Sequence, residues 1–359
     1  MRRTHMTAAG HICLDLAPVF PAGASMPEPG KLTVTGEMKL HTGGSVANTG
    51  LALKILGADV SLLGKIGSDP FGTLVAGIVS GYGAGGLIAD PAERTGYTVV
   101  MAPEGVDRMF LHNPGANDSF VADDVPDAEL ERSALMHFGY PTLMRRMYER
   151  NGAETVKLFS RAHASGCMTS LDLTVPDPAA PAGRADWQPF LAAVLPLTDF
   201  FVPSFEELCF MLDRPLYERL NAGGDVIGGA DIVRDVLPLA RRCLCMGCGT
   251  VLIKCGTKGM VWAAGTAPAG VPAPDMWTAC EGVQPCLPAD RVRSASGAGD
   301  TAIAAFLYAM LQGYTPAECA GFAAAEGACC VTAWDALSGL KPLPELNAKY
   351  HIISESEMK

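Results

Sequence analysis

A glycine-rich turn that directly precedes an acid is the stretch whose residue types could do chemistry. Gly297, Ala298 and Gly299 lead into Asp300, and residues 302–311 form an apolar run whose length and composition predict a buried helix. The first N–H groups of a helix lack partners within it, and the helix dipole favours an anion there. We therefore predict that the turn cradles a phosphate while Asp300 accepts a proton from an attacking hydroxyl. The alternative is an ordinary helix start in which Asp300 only supports the first turn.

The composition describes a compact globular chain. Apolar residues make up 49% of the 359 residues and charged residues 18%, so a large core can be buried. The net charge is −11 and no Lys/Arg cluster occurs, which argues against a nucleic-acid partner. An acidic protein can still bind a polyphosphate where backbone amides and Mg²⁺ supply the positive field.

The cysteines and the N-terminal sequence bear on the compartment. Twelve cysteines are scattered along the chain, which predicts reduced thiols. The one cluster, residues 243–248, has no second Cys/His pair at zinc-site spacing, so we expect a helix end there. His11 and Asp15 interrupt the apolar stretch that a signal peptide would need. No uncharged run reaches the ~18 residues of a membrane span, and we expect a soluble, cytoplasmic protein without a membrane partner.

Strand-like and helix-like segments alternate along most of the chain. Residues 7–16 predict a first strand that ends near Asp15, and residues 45–57 predict a helix that Gly57 ends. The alternation predicts βαβ units on a largely parallel, buried sheet, and so an α/β fold. The further predicted segments are residues 60–63, 71–82, 134–138, 155–164, 168–173, 190–195, 199–202, 205–212, 232–242, 250–254, 301–311 and 316–333.

Two segments do not fit a buried sheet. Residues 31–40 alternate polar and apolar side chains, and residues 96–101 and 108–112 have the pattern of a hairpin. We predict that they form a small β-sheet lid, inserted at about residues 31–42 and 96–113 in a domain of residues 1–340. The chain from residue 341 to residue 359 is predicted to be a polar, peripheral tail.

Common nucleotide and hydrolase motifs are absent or misplaced. Residues 81–86 match the glycine pattern of dinucleotide-binding proteins, but they follow a predicted helix instead of a strand. Gly64-Lys65 lacks the flanking residues of a phosphate-binding P-loop, and no G-x-S-x-G is present. A bound nucleotide must therefore be held by another device.

Three ordered segments resemble the signatures of one family. They read GGSVAN at residues 43–48, GKIGSDPFG at residues 64–72 and GAGD at residues 297–300. In this order, on an alternating α/β chain, they resemble the ribokinase-like (PfkB) carbohydrate kinases over about residues 7–335. The resemblance implies a doubly wound, mainly parallel sheet flanked by helices, with a small projecting β-sheet lid. It also implies transfer of the γ-phosphoryl group of ATP to a hydroxyl of a sugar or nucleoside.

The resemblance implies roles for the residues that match on the acceptor side. Asp300 matches the catalytic base, and Gly297, Ala298 and Gly299 match the anion hole. Asp15 matches the acid that binds acceptor hydroxyls, as a carboxylate can. The further substrate-binding residues expected from the resemblance are Gly43 and Gly44, which let the backbone approach the sugar, with Asn48 and Asn117. Tyr140 is a further substrate-binding candidate on the strength of its residue type.

On the donor side, the turn after the strand at residues 250–253 resembles the family's G-x-x-G turn along ATP. Lys254, Gly256, Thr257 and Gly259 are the residues expected to bind ATP, and a plain hairpin turn is the alternative. Glu207 matches the acid that positions Mg²⁺ through water.

Several positions depart from the family pattern. Ser204 replaces an Asn of the magnesium motif, and Ser294 replaces an Asp six places before the base, which leaves activation by a monovalent cation open. Tyr140 follows the strand at residues 134–138 where ribokinase has a sugar-binding acid, so ribose is not favoured. The aromatic ring could stack on a cyclic acceptor, which keeps a nucleoside open.

The main hypothesis is an ATP-dependent sugar kinase. Two alternatives stay open, a nucleoside kinase on the same fold and a non-catalytic sugar-sensing protein. The predicted lid strands carry apolar side chains that a second lid would cover, which predicts a homodimer through the lid. These side chains are Leu32, Val34, Val99 and Met101.

Overall fold

The computed structural model describes residues 3–103, 109–354 and 358. The strands are β1 (His5–Gly10), β2 (Cys13–Pro18), β3 (Met38–Gly43), β4 (Val60–Leu63), β5 (Lys65–Gly67), β6 (Ile88–Asp90), β7 (Tyr97–Met101), β8 (Met109–Asn113), β9 (Ser133–Gly139), β10 (Met168–Asp172), β11 (Phe200–Phe201), β12 (Thr250–Lys254), β13 (Met260–Ala264) and β14 (Cys280–Gln284). The helices are α1 (Ser45–Leu56), α2 (Pro70–Gly81), α3 (Asp127–Arg132), α4 (Arg145–Ala164), α5 (Trp187–Val194), α6 (Phe205–Leu212), α7 (Arg214–Asn221), α8 (Val226–Gly229), α9 (Leu237–Cys245), α10 (Ala298–Gln312), α11 (Pro316–Cys330) and α12 (Leu343–Tyr350).

A large, mainly parallel sheet forms the centre of the molecule. Within the described residues it has eight strands in the order β14-β13-β12-β11-β10-β9-β1-β4. The strands from β12 to β4 run parallel, and β13 and β14 are antiparallel additions at one edge. Because parallel strands end at the same edge, the residues that follow β1, β9, β10 and β12 come together there.

Both faces of this sheet are covered. Successive side chains of a strand point to opposite faces, so neighbouring residues of β1 pack into different cores. On β1, Ala8 packs into a core with α1, α10 and α11, whereas Ala9 packs into a second core with α4, α5, α6 and α9. The predicted α/β layering with buried parallel strands is therefore confirmed. The helix predicted over residues 45–57 is α1, and Gly57 ends it in the left-handed conformation with φ 101°.

A separate sheet of four strands, in the order β3-β2-β7-β8, forms the lid. The predicted first strand over residues 7–16 is in fact two strands, because the chain bends after Gly10, which has φ 126°. β1 stays in the central sheet while β2 crosses into the lid. Asp15 is consequently a lid residue that pairs with Thr98 of β7, and its predicted place at the end of the first core strand is wrong.

Two other boundary predictions are also wrong. The strand predicted over residues 31–40 is formed by Met38–Gly43 instead, and Leu32 and Val34 are exposed outside any strand. The hairpin of β7 and β8 is antiparallel as predicted, although residues 104–108 of its turn lie outside the described residues. The predicted peripheral tail contains α12, whose Leu343 and Leu346 are buried in the core because they pack below α11.

Other features of the fold bear on the excluded motifs. Residues 81–86 link α2 to the short strand β6, so they do not open a helix as a dinucleotide-binding turn does. In the part of the chain that the structure describes, no helix has both the length and the apolar character needed to cross a bilayer. The cysteines are free thiols, and Cys243 and Cys245 lie in the last turn of α9, as predicted for a helix-end cluster.

Candidate active site

A cleft of about 660 Å³ lies between the carboxyl edge of the central sheet and the lid. Its wall is built from the bend after β1, the start of α1, the start of α10 and the lid strand β2. The residues that line this wall include His11, Asp15, Gly44, Asn48, Tyr140 and Asp300. The fold therefore brings together candidate residues that are up to 285 positions apart in the sequence, between Asp15 and Asp300.

Asp300 lies in the first turn of α10 with only 5% of its surface exposed. Its Oδ1 accepts a hydrogen bond from the Tyr140 hydroxyl at 2.7 Å, and its Oδ2 accepts one from Asn48 Nδ2 at 3.0 Å. Burial raises the pKa of Asp300, while the hydrogen bond from Tyr140 and the charge of Lys254 oppose the rise. Both carboxylate oxygens are thus oriented by donors, and each keeps a lone pair for another hydroxyl.

Tyr140 directly follows β9 and has a left-handed backbone with φ 64°. Its N–H donates to the carbonyl oxygen of Asp172 at 3.1 Å, which fixes this unusual conformation. Burial and the charge of Asp300 raise the pKa of Tyr140 well above its usual value, so the phenol stays a donor. The sequence suggested that the ring stacks on the acceptor, whereas the structure directs its hydroxyl to Asp300.

The start of α10 has the geometry of an anion cradle. Gly297 caps the helix with φ 76°, and a side chain at this position would collide with Ala336. The Gly297 carbonyl accepts from Thr301 N at 2.9 Å, but within the described residues no acceptor meets the N–H groups of Gly299 and Asp300. These two donors are the unpaired groups that a helix start offers to an anion.

Lys254 brings a positive charge to the same place. Its Nζ lies 3.8 Å from where a Cβ on Gly299 would stand, and it donates to Asp172 Oδ1 at 2.7 Å. Both partners are buried, with 13% and 1% of their side chains exposed. Burial alone would lower the pKa of Lys254, but the carboxylates of Asp172 and Glu207 raise it, so the ammonium stays charged beside the cradle.

Sequence reasoning missed Asp172. Asp172 ends β10, next to the end of β9. Its carboxylate accepts a hydrogen bond from Lys254 Nζ, and its carbonyl oxygen accepts one from Tyr140 N. An acid at the end of a buried strand is the same signal that singled out Asp15, and it could have identified Asp172 too.

The turn between β12 and β13 folds back tightly beside Lys254. Gly256 and Gly259 have φ values of 54° and 88°, which favour glycine, and a side chain on Gly259 would meet the backbone at Gln284. Lys258 Nζ donates to the carbonyl oxygens of Gly228, at 2.8 Å, and Ala230, so the turn is tied to α8. Gly256 and Thr257 are exposed and face solvent at the same sheet edge as Lys254.

The lid contributes Asp15 and two glycines. Burial raises the pKa of Asp15 to about 6, against hydrogen bonds from Cys13 and Thr98 that lower it. A side chain on Gly43 would collide with the Asp15 carboxylate, and one on Gly44, which has φ 86°, would lie 2.6 Å from the His11 carbonyl oxygen. Both positions therefore need glycine because of contacts within the protein, and their predicted contact with the sugar stays a prediction.

Two predicted site residues have other contacts. Asn117 is fully buried, its Oδ1 accepts from Ile12 N at 2.9 Å, and its Nδ2 donates to the carbonyl oxygens of Ile12 and Pro114. Its amide braces the bend between β1 and β2 and lies outside the cleft wall, which corrects its expected contact with substrate. Glu207 Oε2 accepts from Ser204 N at 2.6 Å and so caps α6 with Ser204.

Side chains alone do not form a metal site in the described part of the chain. Among the described residues, no group of three or more His, Cys, Asp or Glu side chains is arranged to hold a metal ion. One oxygen of Glu207 is not used by the helix cap, and burial raises the pKa of this carboxyl.

Comparison with known proteins gives one family. The family model described as pfkB family carbohydrate kinase matches residues 5–341. Fructokinase-1 of Zea mays is 31% identical over 147 residues, which cover 40% of this chain and 43% of that protein. The ribokinase of Arabidopsis thaliana is 25% identical over 311 residues, which cover 85% of this chain and 71% of that protein. The chain spans about half the length of the plant fructokinases that it matches.

Solved structures show the same fold. The Arabidopsis thaliana ribokinase complexed with ribose and ATP superposes with a TM-score of 0.73 at 20% identity, covering 99% of this chain and 100% of that one. The fructokinase with bound ATP from Xylella fastidiosa has a TM-score of 0.72 at 20% identity, with coverage of 99% and 100%. A related E. coli structure with ATP and Mg²⁺ has a TM-score of 0.70 at 21% identity, with coverage of 97% and 98%. The predicted ribokinase-like fold is confirmed, and the chain belongs to the pfkB family of carbohydrate kinases.

Proposed function

We propose that the chain is an ATP-dependent kinase that transfers the γ-phosphoryl group of ATP to a hydroxyl of a sugar or related polyol. One observation carries the proposal. The Asp300 carboxylate lies on the wall of a cleft and is oriented by Tyr140 and Asn48. At the same helix start, the N–H groups of Gly299 and Asp300 have no acceptor among the described residues. A base and an anion cradle are thus adjacent, which is the arrangement that phosphoryl transfer needs.

On the acceptor side, the side chains supply both donors and acceptors for hydroxyl groups. Asp15, once ionised, accepts from hydroxyls, and Asn48 lies where an acceptor meets Asp300. The reacting hydroxyl gives its proton to Asp300 as its oxygen bonds to the γ-phosphorus. The bond between that phosphorus and the bridging oxygen breaks, and ADP leaves with the electron pair.

On the donor side, fixed positive groups offset the charge of the moving phosphoryl group. The N–H groups of Gly299 and Asp300 have no acceptor among the described residues, and the ammonium of Lys254 lies beside Gly299. Their positions are set by the fold before the reaction, so they need no reorganisation in the transition state. The exposed turn at Gly256 and Thr257 lies along the same edge and is the expected contact for the remaining phosphates.

Mg²⁺ fits this site as an ion held mainly by the nucleotide. When bound, it would neutralise phosphate charge. Glu207 and Asp172 are the carboxylates beside Lys254 and the cradle, and they would hold such an ion through water. Ser294 uses its hydroxyl to accept from Ser296 N at 3.1 Å, and the proposal does not depend on a monovalent cation.

A substrate panel with one variant tests the proposal. ADP formation is measured with pentoses, hexoses, polyols and nucleosides, and Asp300→Asn is compared with the wild type on the best acceptor. We expect kcat to fall by about 100-fold or more while calorimetry shows acceptor binding nearly unchanged, because the base acts in the transition state. Near-normal turnover by Asp300→Asn would contradict the role of Asp300 as the base. Turnover of nucleosides alone would favour a nucleoside kinase, and tight sugar binding without ADP would favour a sensor.

We also propose a homodimer through the lid. Several apolar side chains of the lid sheet are more than a third exposed, and such a face is commonly covered by a second copy. They are Met38, Leu40, Met109 and Leu111, while Val99 and Met101, predicted to be exposed, are half-buried. Light scattering at micromolar concentration should give twice the chain mass, and a monomer mass would contradict this proposal.

A further inference from the structure

His11 occupies the bend at which the chain leaves the central sheet for the lid. Its backbone is fixed, because its N–H donates to the Gly139 carbonyl oxygen and its own carbonyl oxygen accepts from Val46 N, both at 3.1 Å. The imidazole is 2% exposed and forms part of the cleft wall. Its ring centre lies 5.1 Å from that of His112 on the lid and 6.2 Å from that of Tyr140. His11 is thus a fixed part of the cleft floor between the lid and the base.

Among the residues that the structure describes, neither ring nitrogen of His11 has a hydrogen-bond partner. His137, on the neighbouring strand β9, shows the usual arrangement for a buried histidine. It is also fully buried, but Ser45 Oγ at 3.1 Å and Ser170 Oγ at 3.0 Å satisfy both of its nitrogens. Leaving buried polar atoms unpaired costs free energy that a partner recovers. His11 is therefore a place where the fold alone does not complete the hydrogen bonding.

The chemistry of His11 selects the partner. Burial, together with the nearby His112, lowers the pKa of His11 well below its usual value, so the ring is neutral. A neutral imidazole has one donor and one acceptor nitrogen, and a hydroxyl can serve either of them. Gly44 lies against Nδ1 on one side, and His112 covers the ring on the other. His112 lies on the exposed lid strand β8, so an acceptor molecule would reach the ring only with His112 displaced.

We propose that His11 determines which acceptor is used, by hydrogen-bonding one hydroxyl of a neutral polyol bound in the cleft. This inference rests on the proposed kinase function and adds a specificity-determining residue to it. The hydroxyl that reacts is held at Asp300, so His11 binds a different hydroxyl of the same molecule. An analogue that lacks this hydroxyl would leave His11 unpaired in the closed cleft, and such analogues are strongly rejected.

The test is a comparison of monodeoxy acceptors. The probe is the neutral sugar or polyol with the highest kcat/KM on the wild type, together with its monodeoxy analogues. For the wild type, removal of one non-reacting hydroxyl should lower kcat/KM by about tenfold or more. For His11→Ala, the kcat/KM values of the parent acceptor and of that same analogue should differ by less than about twofold, because the variant has already lost the hydrogen bond. For each of the other monodeoxy analogues, the loss of kcat/KM relative to the parent acceptor should be the same in the wild type and in His11→Ala.

Two further variants separate recognition from folding. His137→Ala removes an equally buried histidine outside the cleft and should lower stability without changing the pattern among the analogues. His11→Gln keeps a donor and an acceptor, and it should lessen the discrimination at the same hydroxyl only. If His11→Ala does not fold, the comparison with His11→Gln decides.

The outcomes distinguish this inference from the proposed function. A wild type that turns over a sugar, with His11 variants that slow the parent and every analogue by the same factor, overturns the inference and leaves the kinase function standing. A wild type that phosphorylates no member of the panel overturns the proposed function and this inference with it.

Discussion

The Tyr140 hydroxyl donates to Asp300 Oδ1 at 2.7 Å, although the two residues lie 160 positions apart in the sequence. Tyr140 follows β9 and Asp300 begins α10, so the contact joins the sheet edge to the helix start. Tyr140 reaches this position with a left-handed backbone, which Asp172 secures through a backbone hydrogen bond. The proposed base on α10 is therefore oriented by a residue at the edge of the central sheet, and the effect of this contact on pH dependence can be tested.

Tyr140→Phe should move the acid limb of the kcat/KM pH profile to higher pH. Burial raises the pKa of Asp300, and the phenol hydrogen bond opposes the rise because it stabilises the ionised carboxylate. Losing a hydrogen bond to a charged group is worth about 1.5–3 kcal/mol, so the pKa of Asp300 should rise further in the variant. The profile is measured between pH 5 and pH 9. Tyr308→Phe, on the helix α10 that carries Asp300, serves as the control. An unmoved acid limb would contradict the role given to Tyr140.

Lys254 and Asp172 should couple strongly in stability. Removing either charge leaves the other buried and unpaired, which costs about 3–5 kcal/mol of unfolding free energy. Lys254→Met and Asp172→Asn are compared with the double variant by urea unfolding. The double variant should lose clearly less unfolding free energy than the two single variants lose together. Additive losses would mean that the two side chains do not interact. Lys254→Met should also weaken ATP binding, because it removes the cation at the cradle.

Gly297→Ala should distort the anion cradle. The φ of 76° strains any residue with a side chain, and the new methyl group would meet Ala336. We expect a stability loss of about 1–2 kcal/mol and a higher KM for ATP. Gly77 lies within α2 with open space around it, so Gly77→Ala should stabilise the protein by about 0.5–1 kcal/mol. Equal effects of the two substitutions would refute the explanation from backbone geometry.

Asp15 should make both stability and acceptor binding depend on pH near 6. Its pKa is about 6 in the folded protein and near 3.8 when unfolded, so the folded state binds the extra proton. Stability therefore falls as the pH rises from about 4 to about 6 and is level above that. Asp15→Asn should raise the unfolding free energy at pH 7.5 by about 1–3 kcal/mol.

The ionised form of Asp15 is the one that accepts hydrogen bonds from the sugar. The wild-type KM for the acceptor should therefore fall as the pH rises through about 6, and Asp15→Asn should lack this change. Steady-state kinetics from pH 5 to pH 8 measure both proteins. A wild-type KM that is flat across this range would show that the charge of Asp15 does not serve acceptor binding.

Local sequence was enough wherever the chemistry is carried by neighbouring residues. The GAGD stretch at residues 297–300 predicted a helix start with an acid in its first turn, because glycine conformation and helix ends depend on a few consecutive residues. The same holds for α1 and its left-handed end at Gly57. The alternation of strands and helices predicted the buried, mainly parallel sheet, since the pattern of apolar residues records which faces are covered.

What the sequence could not reveal depends on contacts between distant segments. Asp15 was assigned to a core strand because nothing local marks the bend after Gly10, which Asn117 holds from more than a hundred positions away. The pairing of Lys254 with Asp172 and of Tyr140 with Asp300 needs the shared edge of parallel strands. That both nitrogens of His11 lack a partner among the described residues follows only from the positions of the surrounding groups in space. Residue types thus determined which groups are present, and tertiary packing decided which of them meet, because hydrogen bonds and burial act over distance in space and not along the chain.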